Sequence, residues 1–146
     1  MGDESEAAAI EYALLALDVR NIIVMGHSAC GAMKAVLTGQ VPAEALNLER
    51  WLVHARTAGE RLAALTSIDR HLAPEDRLSR ANVLLQLEHV RSYAPVADRL
   101  ARSEVELHGA WFDVERADLH IWNVRKDRFF RMDEAAIPRA LAAPRA

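Results

Sequence analysis

The sequence predicts an α/β protein, a small and mostly parallel sheet with flanking helices, and three observations carry that expectation. Four consecutive apolar residues, Ile22-Ile23-Val24-Met25, stop at Gly26, as in a short strand buried on both faces. Two later runs, 105–114 and 119–124, have the composition and alternation of strands. Between these segments lie stretches with apolar residues every three or four positions, so helices separate the first strand from the others. At 146 residues the chain suits one core, and a single domain over 1–146 is expected.

The elements follow in order. Asp3, Glu4, Ser5 and Glu6 precede an Ala/Leu-rich stretch with Ile10, Leu14 and Leu17 at helical spacing, acidic and capping groups placed where a helix begins. The strand Ile22–Met25 comes next, and the small residues after Gly26 make a tight exit into a second helix through Ala32, Met33 and Val36. From Asn47 to about Ser67, Leu48, Trp51, Leu52, Ala55, Leu62 and Leu65 form one apolar face of a third helix. Pro74-Glu75-Asp76 signals the start of a fourth, striped by Leu78, Val83, Leu84, Leu87 and Val90, and Pro95 separates it from a short helix from Val96 to Arg102. Val105 to Val114 reads as strand broken at Gly109, paired antiparallel with Leu119–Val124 through a turn near Glu115 to Asp118. Arg125-Lys126-Asp127-Arg128 reads as solvated surface, and the tail from Asp133, with Pro138 and Pro144, as a short helix and a frayed end. With about three strands, the edge beside Ile22–Met25 lies open. Open apolar edges are normally paired or covered, so a homo-oligomer, a dimer or higher, is expected.

Composition excludes several function classes. Hydrophobic residues at 51% and charged residues at 27% describe a folding globular chain rather than a disordered one. Lys plus Arg number 18 against 21 for Asp plus Glu, a net charge of −3 that offers no field for a phosphate backbone, so no nucleic acid partner is expected. Cys30 is the one cysteine, which rules out an internal disulfide and suits a reducing compartment. No apolar run approaches the roughly 20 residues that span a bilayer, and the acidic start lacks a signal peptide's basic region; a cytoplasmic protein with no membrane partner is expected.

The informative stretch is Gly26-His27-Ser28-Ala29-Cys30-Gly31. A His at a strand's carboxyl end and a Cys in the next helix's first turn can both face the crevice where α/β sheets hold ligands. Imidazole nitrogen and thiolate sulfur are zinc's preferred donors, and a helix amino terminus favours the thiolate. Two donors fall short of the three or four that zinc takes, so a plainer reading stands beside this one: Cys30 packs as a small hydrophobe and His27 caps backbone. No catalytic acid or base is assigned, because Asp18, Asp113 and Glu115 have no paired carboxylate. Ser28 beside His27 lacks a G-x-S-x-G elbow and reads as a hydrogen bonder of the loop. His108 reads as a satisfied core or interface residue, His54, His71 and His89 as solvated or capping, His120 as a strand residue without special function, and Trp51, Trp111 and Trp122 as packing anchors.

The segment IEYALLALDVRNIIVMGHSACGAMKAV, residues 10–36, closely resembles the central helix, strand and zinc loop of β-class carbonic anhydrases. Asn47-Leu48 with Trp51-Leu52 and Ala55, Asn82-Val83 with Gln86-Leu87 and Arg91, and Leu107-His108-Gly109 with Phe112-Asp113 resemble its later helices and strand, so the likeness runs from about Gly2 to Asn123. It implies zinc held by His27 and Cys30, with Ser28, Ala29 and Gly31 shaping the loop, and reversible hydration of carbon dioxide to bicarbonate. The family also carries a strand with a Cys-x-Asp-x-Arg segment before the region where this sequence begins. No Cys-x-Asp occurs here, and Phe112 stands where the family often has Tyr. The resemblance therefore implies a truncated carbonic anhydrase fold with half of its zinc ligands, inactive as this chain alone. Two other readings stand beside it: a non-catalytic oligomeric module that uses the open edge, and a structural Cys₂His₂ zinc site pooled from His27 and Cys30 of two copies.

Overall fold

A computed structural model describes residues 4–59 and 71–132. Helix α1 spans Glu4–Leu15, with Glu4 and Glu6 in its first turn beside the positive end of the helix dipole. Its Leu14 is fully buried with Val96 and Val105, while Leu17, one turn later, is exposed. Strand β1 runs Asn21–His27 and α2 Gly31–Thr38, closed by Gly39 at φ 67, a left-handed cap that only glycine adopts without strain. Helix α3, Leu46–Arg56, buries Leu52 and Ala55. Helix α4, Pro74–Ser92, has proline in its first turn, and Tyr93 in extended conformation divides it from α5, Ala94–Ala101, which carries Pro95 in its own first turn. The chain then forms β2, Glu106–Asp113, β3, Asp118–Asn123, a 3₁₀ turn at Val124–Lys126, and β4, Arg128–Arg131.

The sheet has the order β1-β2-β3-β4 and is mixed, where the sequence led us to expect a mostly parallel one. Only β1 and β2 are parallel, in register from Asn21↔Glu106 to His27↔Phe112; β2–β3 and β3–β4 are antiparallel. Connection length explains the difference: a helical crossover joins β1 to β2, whereas short turns join the later strands and reverse the chain. Strand β4 grows out of the end of the charged run read as surface. Its charged side chains do face solvent, with Lys126 and Arg128 lying over the Phe130 ring at 5.0 and 4.0 Å. Nor does Gly109 break β2, which passes through it without interruption.

Helix α4 lies along β1 and β2 and builds the core there, with Val83, Leu84, Trp111 and Phe129 buried together and Val24, Leu87 and Trp122 packed around them. Two glycines permit this approach. A Cβ on Gly26 would stand 2.9 Å from both Ser79 Oγ and Val83 Cγ2, and one on Gly109 2.9 Å from Leu87 Cδ1 and 3.1 Å from Trp122 Cβ. Arg80 is also drawn inside, its guanidinium 4.1 Å from the Trp111 ring and 5.1 Å from that of Phe129, so aromatic faces replace part of its lost hydration. The opposite face is different. Ile23 and Met25 are 61% and 63% exposed, so β1 is covered on one face by the described elements and not on both, as its apolar run suggested. Period alone cannot tell a strand buried twice over from one whose second face awaits cover.

Trp51 is 55% exposed, in contrast to the buried Trp111. The expected end of the third helix near Ser67 and the expected carboxyl-terminal helix lie outside the described residues. Away from the sheet, Arg99 fastens the end of α1 to α5, donating to Asp18 Oδ1 at 2.8 Å and to the Leu14 carbonyl at 2.9 Å, with Glu104 3.4 Å away. The hydrogen bond from Arg99 holds the Asp18 carboxyl below its ordinary range, helped by the charges of Arg99 and Arg20 against some desolvation.

Two outcomes follow from this packing. Gly26→Ala should lower unfolding stability by about 1–3 kcal/mol, read by urea denaturation, because neither Ser79 nor the β-branched Val83 can yield the space cheaply; an unchanged midpoint would contradict the close approach. The Asp18 carboxylate is favoured by folding, so its contribution is present above its unfolded value and fades as the pH falls through it to the lower folded value, below about pH 4. Asp18→Asn should flatten the fall in Tm over that range, and an unaltered profile would show that the pair with Arg99 contributes nothing.

Candidate metal centre

The loop Gly26–Gly31 leaves the carboxyl end of β1 and enters α2, and side-chain and backbone groups from elsewhere hold it at successive residues. The His27 carbonyl accepts from the Ser79 hydroxyl at 2.9 Å, and Ser79 Oγ in turn accepts from Trp111 Nε1 at 3.2 Å. Ser28 is buried; its N–H donates to the Phe112 carbonyl at 2.9 Å, continuing the β1–β2 ladder, and its Oγ accepts from the Val114 N–H at 2.8 Å. Ala29 adopts a left-handed conformation, φ 52, and its N–H donates to Asp76 Oδ1 at 2.7 Å. A left-handed residue that carries a Cβ costs about 1–2 kcal/mol, so the loop is a conformation that its surroundings impose.

Within this frame His27 and Cys30 fall at the two ends of one tight turn. His27 Nδ1 lies 2.8 Å from the carbonyl oxygen of Ser28, and because a carbonyl can only accept, Nδ1 carries the proton. In the neutral ring the lone pair is therefore on Nε2, which makes no hydrogen bond among the described residues. Cys30 takes the N-cap position of α2, yet its side chain makes no capping hydrogen bond. It is half-buried and packs against the cluster of Met33, Ala55, Ala58, Leu78 and Leu85. Both features of the plainer reading are thus present, a backbone contact for His27 and apolar packing for Cys30, and both leave the donor atoms uncommitted. Gly31 opens α2 with nothing within 4 Å of where its Cβ would be, so close approach is not what glycine supplies there.

The donor chemistry fits half of a zinc centre. An imidazole with Nδ1–H held by a carbonyl and Nε2 open is the arrangement found in metal-bound histidine, and Cys is the matching soft donor. Among the described residues, however, no group of three or more His, Cys, Asp or Glu side chains could hold a metal ion. His108 does not join the loop: it pairs in register with Ile23, and its Nε2 lies 2.9 Å from Asn21 Oδ1. Asp113 Oδ1 is engaged by the N–H groups of Glu115 and Arg116. A cavity of about 900 Å³, lined by Arg80, Trp111, Asp113, His120 and Arg131 among others, includes neither His27 nor Cys30. Sequence reasoning missed Asp76 and Ser79, which lie 47 and 52 positions from the residues they hold. Their only local signal is the start of a helix.

Comparison with known proteins bears on this loop. The sequence model of the carbonic anhydrase family matches residues 1–119. The chain is 40% identical over 118 residues to a carbonic anhydrase of Synechocystis sp., covering 78% of this chain and 42% of that protein. It is 34% identical over 142 residues to a carbonic anhydrase of Pseudomonas aeruginosa, covering 92% of this chain and 61% of that one. Among solved structures, the β-carbonic anhydrase CcaA superposes with a TM-score of 0.75 at 32% identity, over 88% of this chain and 58% of that one. Tetrameric β-carbonic anhydrases of Sordaria macrospora give 0.70 at 26%, over 84% and 61%. The chain thus spans about half the length of these relatives.

Ser79→Ala should cost about 2 kcal/mol or more in urea denaturation, since it deprives both the His27 carbonyl and the buried Trp111 N–H of their partner. A loss under about 0.5 kcal/mol, the size of an ordinary surface substitution, would mean that water replaces the hydroxyl at no cost.

Proposed function

This chain belongs to the β-class carbonic anhydrase family, and from that premise we propose that its loop from His27 to Cys30 supplies two ligands of a zinc centre serving the reversible hydration of carbon dioxide to bicarbonate. The observation that carries the reading is the state of His27: Nδ1–H is spent on the Ser28 carbonyl, and the open Nε2 shares a tight turn with an uncapped Cys30 thiol. Bound by a full ligand set, zinc activates water for attack on carbon dioxide. The chain's own residues hold the donors in place, with Ser28, Ala29 and Gly31 forming the turn between strand and helix. Zinc takes three or four protein ligands and the described residues offer two, so the remaining donors belong outside them, and this chain by itself is expected to be without hydratase activity. No described helix is long and apolar enough to cross a membrane, in keeping with a proposed cytoplasmic site of action.

A second reading, a non-catalytic module built into a homo-oligomer, is favoured by β1: among the described residues it is an edge strand, with Ile23 and Met25 exposed on its open face. Relatives from Sordaria macrospora are described as tetrameric. Geometry divides this reading from the pooled Cys₂His₂ site. If two β1 edges pair antiparallel about Val24, each His27 lies opposite the partner's Asn21, and the two imidazoles stand about 20 Å apart at about 3.3 Å per residue. Full pairing of this edge and a shared zinc therefore exclude one another.

Titration of the chain with cobalt(II) tests the proposal. A thiolate-to-metal absorption band is expected, lost in Cys30→Ala and in His27→Ala, while stopped-flow hydration of carbon dioxide by the loaded chain stays at the buffer rate. Absence of the band would overturn the ligand assignment, and hydration by the chain alone would overturn the placing of the other donors elsewhere.

A further inference from the structure

We infer that Asp76 is a positioning residue for the His27–Cys30 loop, setting the left-handed turn at Ala29 that fixes the two donors relative to each other; the inference rests on reading that loop as the metal-binding one. Ala29 is the middle of the turn and has a positive φ, which a residue with a Cβ keeps only where its surroundings demand it. The demand is visible. Ala29 N–H meets Asp76 Oδ1 at 2.7 Å, the short distance of a hydrogen bond to an ionised carboxylate. Upstream, His27 and Ser28 are tied by Ser79, Phe112 and Val114. Between Ser28 and the first turn of α2, the bond from Asp76 is the one tie from a side chain among the described residues.

The arrangement has a physical logic. Asp76 and Ser79 stand three residues apart on α4, so they share a face one turn apart and reach Ala29 and His27 together. Asp76 lies in the first turn of its helix, where a carboxylate suits the dipole. Without the acceptor, Ala29 has no reason to stay left-handed. Its return to the right-handed or extended region would swing Cys30, the next residue, away from His27. A carboxylate that merely favoured the start of α4 would affect helix stability and leave this turn alone.

The experiment separates these roles in the full chain. In Asp76→Ala, the Ala29 amide should exchange with solvent faster than in the parent, and cobalt(II) should bind about tenfold or more weakly, as loss of a residue that orients a ligand does. Adding Ala29→Gly to Asp76→Ala should restore cobalt affinity, because glycine adopts the left-handed region without help. Asp76→Glu, which keeps the charge at the helix start and misplaces the oxygen, should weaken cobalt binding with little change in Tm; it tests the same contact should Asp76→Ala not fold. Unchanged amide exchange and cobalt affinity in both single variants, or failure of glycine to rescue, overturns the inference. A parent chain that binds no cobalt overturns the proposed function instead, and Ala29 exchange then decides the role of Asp76 by itself.

Discussion

The closeness of helix α4 to strand β1 at Gly26 is the constraint on which the loop geometry depends. Only a residue without a side chain leaves room there for Ser79 Oγ and the Val83 methyl, each 2.9 Å from where a Cβ would stand. Because the helix comes so near, Ser79 reaches the carbonyl of His27, and Asp76, one turn earlier, reaches the amide of Ala29. The same contact seats Trp111 beneath the strand, its indole N–H bound to the same serine hydroxyl. Core and loop are thus two aspects of one packing event.

The separation between local and distant contributions explains what could be read from the sequence. His27 and Cys30 are three residues apart, at the end of an apolar run and the start of a helix, so a short window displays both donors and their context. Helix α4 likewise announces itself through Pro74 and its apolar period. Strand β4 does not: Phe129 and Phe130 follow a charged run, and only pairing with β3 makes those residues a strand. The antiparallel turn from β2 into β3 is legible from two alternating runs a few residues apart, whereas the bare face of β1 depends on partners that periodicity does not name. Trp51 carries the helical spacing of a core residue, yet more than half of it is exposed in the described structure. Asp76 and Ser79 act on residues about fifty positions away, and no local motif reports such a contact.

The two donors differ in how their surroundings prepare them. His27 is set by polar means: a carbonyl takes one ring proton, fixing the tautomer, while its own carbonyl is fastened to α4. Cys30 is set by packing, with its flank against an apolar cluster and its sulfur free of any capping duty. A site assembled in this way has its two arms anchored in different parts of the molecule, the imidazole on the sheet and the thiol on the cluster joining α2, α3 and α4. The left-handed residue between them is where those two parts meet.

The parallel pairing of β1 with β2 also bears on how the chain is made. Asn21 and His108 touch across 87 positions, so β1 leaves the ribosome long before its neighbour in the ladder exists. Until Val114 has emerged, Ile22 to Met25 lack β2, their partner among the described residues, and the turn after them lacks the Phe112 and Val114 groups that tie it down. The separation of β1 from β2 along the chain thus sets how long Ile22 to Met25 wait for that partner, and slowing elongation within α4 would lengthen the wait.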